Sequence, residues 1–97
     1  MKPYIGIVHR DANSAYGISF PDAPGCFSAA DSLDDLFGMA DEALELWLTS
    51  LAESGAVIPH VRDLSTIKAD PAWAESFAAS VLVIAVRSPH TEVRHAA

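Results

Sequence analysis

Ninety-seven residues, 51% hydrophobic and 20% charged, make one domain with enough apolar side chain for a core, which excludes a second independently folded unit and a disordered segment. Thirteen acids against six bases, a net charge of −7, argue against a protein that grips nucleic acid by neutralising phosphate. No apolar run reaches the roughly 18 residues of a membrane span, and the single cysteine, Cys26, excludes an internal disulfide framework and a Cys-based zinc site.

Met1-Lys2-Pro3-Tyr4 lacks the charged-then-apolar layout of a leader, so a cytoplasmic location is expected. Nine carboxylates fall between Asp11 and Val61, a stretch without Lys or Arg. Such an acidic half ordinarily confers solubility; the alternative is a surface that steers a basic partner.

Tyr4 to His9 is β-branched and aromatic and reads as a first strand. Asp11, Asn13 and Ser14 supply turn chemistry before a second strand, Tyr16 to Phe20. There Tyr16, Ile18 and Phe20 alternate with Gly17 and Ser19, which gives one buried and one open face. Pro21-Asp22-Ala23-Pro24-Gly25 stops pairing, since each proline lacks a donor and Gly25 can take positive φ. Cys26 to Ala30 is a short third strand, completing an antiparallel meander.

Ser32 to Ser54 is the clearest helix. Leu33, Leu36, Phe37, Ala40, Ala43, Leu44, Trp47, Leu48 and Leu51 recur every three or four residues. Ser32 is the expected N-cap, Asp34 and Asp35 suit the positive end of the helix dipole, Gly55 is the expected C′ residue, and Pro59 blocks resumption. Gly38 costs about 1 kcal/mol against alanine inside a helix, and close approach to the sheet is its expected reason. Ile58 to Leu64 reads as extended, Ser65 to Ala69 as one helical turn, and Asp70-Pro71 as the cap and N1 of a short helix to Ser76. The run Val81 to Val86 suits a strand buried on both faces. A six-turn helix between strands permits that strand to lie parallel to the first through a right-handed crossover. The fold class is therefore α+β, in the order β-β-β-α-β with a short helix before the last strand.

Strand, turn, strand, then Phe20-Pro21-Asp22-Ala23-Pro24-Gly25-Cys26-Phe27-Ser28, then Asp31-Ser32-Leu33 opening an acidic amphipathic helix, with Gly55-Ala56-Val57-Ile58-Pro59 behind it, resembles the HicB antitoxin family. The likeness runs from Tyr4 to about Val86, and its family-motif turn is Phe20, Pro21, Asp22, Pro24, Gly25 and Cys26. It implies a partial ribonuclease-H-like fold and the antitoxin half of a toxin–antitoxin pair, which blocks a small basic HicA-type mRNA-cleaving toxin. Members that repress their own operon carry a ribbon-helix-helix or helix-turn-helix module after the last strand. Only Arg87 to Ala97 follows Val86, too short for either, so either the chain is a single-domain member or the sequence ends before the DNA-binding part. The expected organisation is an antitoxin domain over 1–87 and a flexible tail over 88–97 without a DNA-binding domain, so operon repression and direct nucleic-acid binding are not carried over.

A ribonuclease-H-like fold also invites a metal-dependent nuclease, whose two-metal chemistry needs several converging carboxylates. The first strand and Val81 to Val86 contain none, which leaves the helix acids Asp34, Asp41, Glu42 and Glu45 without the other contributors. Those acids read either as an ordinary solvated face or, together with Asp22 on its stiff loop, as candidate toxin-facing groups. Asp41 and Glu45 form a like-charge i,i+4 pair with no base nearby in sequence. Asp22 has a bland role too, capping its own turn. Cys26 reads as a buried structural thiol, Trp47 and Trp73 as core residues, and His9, His60, His90 and His95 lack metal-ligand spacing. No catalytic, metal or cofactor residue is expected.

The expected function is toxin neutralisation by masking the toxin's RNA site. The alternatives are a stand-alone regulatory or ligand-binding domain of the same fold, and a residual nuclease. An apolar last strand leaves a sheet edge to cover, so a homo-oligomer, dimer or tetramer, is expected.

Overall fold

The computed structural model describes residues 3–10, 15–58 and 60–87. The expected turn over 11–14, the helix-blocking Pro59 and the tail over 88–97 with His90 and His95 lie outside them. In chain order come β1 (Tyr4–Arg10), β2 (Tyr16–Ser19), β3 (Phe27–Ala30), α1 (Leu33–Ser54), α2 (Leu64–Ala69), a 3-10 turn (Pro71–Trp73), α3 (Ala74–Ala79) and β4 (Leu82–Val86). The four strands form one antiparallel sheet in the order β3-β2-β1-β4.

Helix α1 starts and stops where its capping residues dictate. Ser32 is extended (φ −130°, ψ 158°) and its Oγ accepts the Asp35 N–H at 3.2 Å. At the other end Gly55 takes φ 77°, its N–H donates to the Ala52 carbonyl, and the Ala56 N–H donates to that of Leu51. These are the two bonds of a Schellman ending.

Leu36, Ala40, Leu44 and Leu48 form the buried seam of α1, each leucine contributing about 2 kcal/mol of burial. They meet Tyr4, Val8, Ile18, Phe20 and Val86 from the sheet. Gly6 belongs to the same sheet face, and there the lack of a side chain matters. A Cβ would fall 2.6 Å from Ile18 Cδ1 and 3.2 Å from Phe20 Cε1, so Gly6 makes room for two core side chains.

Alternation puts Ile5, Ile7 and His9 on the opposite face of β1. That face is covered as well: Ile5 and Ile7 are buried, α3 packs on β1, and the Nε2–H of His9 donates to the Ser76 carbonyl at 3.2 Å. Since a carbonyl only accepts, this contact places the ring proton on Nε2. Ile67 of α2 is fully buried, and α2 packs on α3. The central strand thus lies between two helical layers.

Two expectations for the last strand are corrected. β4 runs antiparallel to β1, pairing Tyr4 with Val86, Gly6 with Ile84 and Val8 with Leu82, so the parallel final strand of the expected ribonuclease-H-like arrangement does not form. The physical reason is a second crossing. After α1 has run back along one face, the segment through α2 and α3 carries the chain along the other face to the His9 end of β1. β4 enters from that end, with the Val81 N–H on the Val8 carbonyl at 2.9 Å. Nor is β4 buried on both faces: it is an edge strand, with Val81 55% and Leu82 36% exposed and Val86 its one buried member. A continuous apolar run looks the same in sequence whether it lies inside a sheet or along its edge.

Gly38 also departs from expectation. It is exposed, and a Cβ there would meet nothing within 4 Å. The sheet does not require a glycine at this position.

Candidate partner-binding surface

The turn between β2 and β3 organises the molecule around it. Backbone bonds close it, from the Ala23 N–H to the Phe20 carbonyl (3.1 Å) and from the Cys26 N–H to the Ala23 carbonyl (3.0 Å), and Gly25 takes φ 85°. The Pro24 carbonyl accepts the Trp47 indole N–H at 2.9 Å, which ties the turn to α1. Trp47 meets Tyr4 edge-on, centroids 6.3 Å apart. Cys26 is buried, and burial pushes its thiol pKa up. Burial first, then the nearby Asp22 and Cys26, raises the Tyr4 phenol.

Asp22 is neither a surface contact nor the cap of its own turn. Only 7% exposed, its carboxylate accepts the Arg62 backbone N–H and the Arg62 Nε–H, both at 2.7 Å. Arg62 Nη1 also donates to Asp70 Oδ2 at 3.1 Å, and Asp70 Oδ1 accepts the Ala72 N–H at 3.0 Å. The hydrogen bond from Ala72 and then that from Arg62 lower the Asp70 pKa. Hydrogen bonds to Asp22 and Asp70 raise that of Arg62. One carboxylate thus fixes the chain that leaves α1 and orients the start of the second helical layer.

The acids predicted on α1 separate into two flanks. Asp34 and Glu42 are exposed and line one shallow hollow beside the edge strand β3, together with Asp31, Asp35, Gly38 and Met39. Farther along the same seam, Phe27, Leu46, Trp47 and Ser50 line a second hollow, where Phe27 and Leu46 are more than two-thirds exposed. Asp35, Met39, Glu42 and Leu46 follow at spacings of four, three and four, one solvent-facing stripe that alternates acid with apolar.

Asp41 lies on the other flank, in a hollow with Phe37, Ile84 and Arg87. Arg87, far from Asp41 in sequence, is brought to the same hollow by β4. Glu45, half-buried, lines none of these hollows. Among the described residues, no three of His, Cys, Asp and Glu come together to hold a metal ion, and no helix is long and apolar enough to cross a membrane.

Asp31, Asp35, Met39 and Leu46 were not named as partner-facing by sequence reasoning. The signal was available in the helical spacing of exposed positions, but attention to the buried stripe hides it. Arg62 carried no local signal, since its partner lies 40 residues away.

Residues 4–94 match the family described as the HicB_like antitoxin of bacterial toxin-antitoxin systems. The chain belongs to this antitoxin family. The fold of this HicB-like protein is that of the Burkholderia pseudomallei antitoxin HicB, with a TM-score of 0.72 and 26% identity over 90% of this chain and 63% of that one. The N-terminal domain of the same antitoxin gives a TM-score of 0.70 and 27% identity, covering 90% of this chain and 96% of the domain. A HicA3 and HicB3 toxin-antitoxin complex contains a chain of the same fold, with a TM-score of 0.69 and 23% identity over 88% of this chain and 95% of that one.

Among curated relatives, an uncharacterised 14.9 kDa protein of Haemophilus phage HP1 is 38% identical over 47 residues, 48% of this chain and 35% of its own. A UPF0150 protein of Archaeoglobus fulgidus is 38% identical over 42 residues, 43% of this chain and 61% of its own. The HicB-like chain therefore spans roughly a third to three-fifths of the length of these two relatives.

Proposed function

We propose that this chain is a non-enzymatic, cytoplasmic antitoxin that binds a basic HicA-type toxin and masks its RNA-binding site. Membership of the family and its shared fold with a chain from a toxin–antitoxin complex support that reading. The observation that carries the choice of surface is the seam between α1 and β3. There Asp31, Asp34, Asp35 and Glu42 converge on one hollow, with Met39 and Leu46 exposed among and beyond them.

Clustered carboxylates without an interleaved base attract a cationic face that otherwise holds phosphate, and they speed encounter. The exposed apolar side chains then supply desolvated anchor area, which slows departure. Asp41 and Glu45, on other parts of the helix surface, play a lesser role in this interface, and Asp22 acts only by holding the turn. No cofactor or metal takes part, and the protein works as a homo-oligomer.

The test is co-purification with a basic HicA-type toxin encoded beside this gene. A complex that weakens with salt is expected. Asp34→Lys with Glu42→Lys should lower the affinity at least tenfold while the fold persists. Failure to form any complex refutes the antitoxin reading, and an unchanged affinity for the double variant refutes the choice of surface.

A further inference from the structure

The second helical layer is lightly held. Among the described residues of α2, the 3-10 turn and α3, Ile67 alone is buried, and Gly55 to Ile58, which lead into the layer, are exposed. Two polar clips close it. His9 holds the Ser76 carbonyl at one end, and at the other Asp22 accepts the Arg62 backbone N–H and Nε–H, both at 2.7 Å. A unit with so few buried side chains opens at lower free energy than the buried seam of α1.

The Asp22 clip is shared with the partner surface. Asp22 belongs to the turn that supplies Gly25, Cys26 and Phe27 to the hollow beside Leu46 and Trp47, and the Pro24 carbonyl of the same turn holds the Trp47 indole N–H at 2.9 Å. No residue of α2 or α3 lines either hollow of the α1–β3 seam. The turn, and not direct contact, joins the layer to those hollows.

We propose that the layer and the turn open as one unit, and that a toxin seated in the seam holds both shut. This deepens the function proposed above, as regulation of the same surface, and rests on it. The buried charge enforces the coupling. When the layer lifts, Arg62 leaves behind a carboxylate whose side chain is only 6% exposed, and an unpaired charge there is too costly to persist. The turn then swings outward until water reaches Asp22. That motion takes the Pro24 carbonyl off Trp47 and removes the wall of the hollow formed by Gly25, Cys26 and Phe27. A partner that uses this wall binds the closed chain better than the open one, and by linkage its binding lowers the open population. Affinity barely changes while nearly all molecules are closed; what changes is how often the layer opens.

Amide hydrogen exchange on the full chain, read by NMR at increasing urea, supplies the test. After correction for intrinsic rates, the amides of Arg62, Ile67 and Asp70 in the layer and of Ala23 and Cys26 in the turn should follow one isotherm. Their protection should be lower than that of Leu44 and Leu48 in α1 by about tenfold or more. Ile67→Val trims the buried side chain of the layer and should speed Ala23 and Cys26 by the same factor as Arg62, roughly two- to twelvefold. With a saturating basic HicA-type toxin encoded beside this gene, Ile67 and Asp70 should exchange more slowly by about tenfold or more, although they lie away from the seam.

Turn amides that keep the protection of α1 while the layer exchanges faster overturn the proposal, as does one isotherm shared by layer, turn and α1. So does an Ile67→Val chain in which Ala23 and Cys26 exchange at the wild-type rate. A stable toxin complex in which Ile67 and Asp70 keep their free rates refutes the hold of the toxin on the layer. A chain that forms no complex counts against the antitoxin reading, and the exchange pattern of the free chain still decides the coupled opening.

Discussion

Replacing Asp22 by alanine removes the acceptor of two 2.7 Å bonds, one from the Arg62 backbone and one from its guanidinium. Hydrogen bonds to a charged group are worth about 1.5–3 kcal/mol each, and breaking one partner out of a buried ion pair costs roughly 3–5 kcal/mol. The Asp22 side chain is 6% exposed, but that of Arg62 is 29% exposed and keeps Asp70, so water recovers part of the loss. The expected destabilisation is about 2–3 kcal/mol, at or below the lower end of the buried-pair range. For a domain of this size it lowers Tm by roughly 8–24 °C. Asp22→Asn keeps one acceptor for the backbone N–H and should lose about half as much. Urea unfolding followed by Trp47 fluorescence and circular dichroism measures both variants, with an m-value close to that of wild type. An Asp22→Ala protein within about 0.5 kcal/mol of wild type would refute the claim that this carboxylate pins the connection. Toxin affinity measured where Asp22→Asn is fully folded should be unchanged, because a buried acid does not face a partner.

The two glycines should respond in opposite directions. Gly38→Ala is expected to stabilise by roughly 0.5–1 kcal/mol, as its Cβ enters open space, whereas Gly6→Ala should cost about 1–3 kcal/mol through its approach to Ile18 and Phe20; thermal melts read both. The Tyr4 hydroxyl is buried without a hydrogen-bond partner among the described residues, so Tyr4→Phe should leave stability unchanged or raise it by about 1 kcal/mol. Folding raises the Tyr4 and Cys26 pKa values above 10.0 and 9.0, so the unfolded chain loses those protons first and stability falls as pH rises through that range. Unfolding curves across it should show Tyr4→Phe removing the phenol's share of the decline. Asp70 has the opposite sign: its lowered pKa makes its contribution complete above the ordinary carboxylate value of about 4 and lost as pH falls through the folded value. Asp70→Asn should flatten that acid limb of a stability–pH profile.

Local chemistry made much of the fold legible. Ser32 and Gly55 mark the ends of α1 because capping depends on residues within one turn, and alternation in Tyr16–Phe20 names the buried face of β2 because a strand's period is two. The Asp70-Pro71 cap was equally local. What sequence alone left undecided were relations between distant segments. The direction of β4 depends on how many times the intervening chain crosses the sheet, and the second crossing through α2 and α3 carries no period that announces it. Whether Val81–Val86 lies inside the sheet or along its edge depends on which strands flank it, and an apolar run is silent about its neighbours. Asp22 reads as a turn acid until Arg62, 40 residues later, arrives at its oxygens. The acids of α1 share one helix, yet only packing assigns Asp34 and Glu42 to the β3 seam and Asp41 to the β4 flank. Composition, caps and periodicity determined the elements and the acidic character; the tertiary structure decided which faces those elements present, because burial and partnership are properties of assembled surfaces.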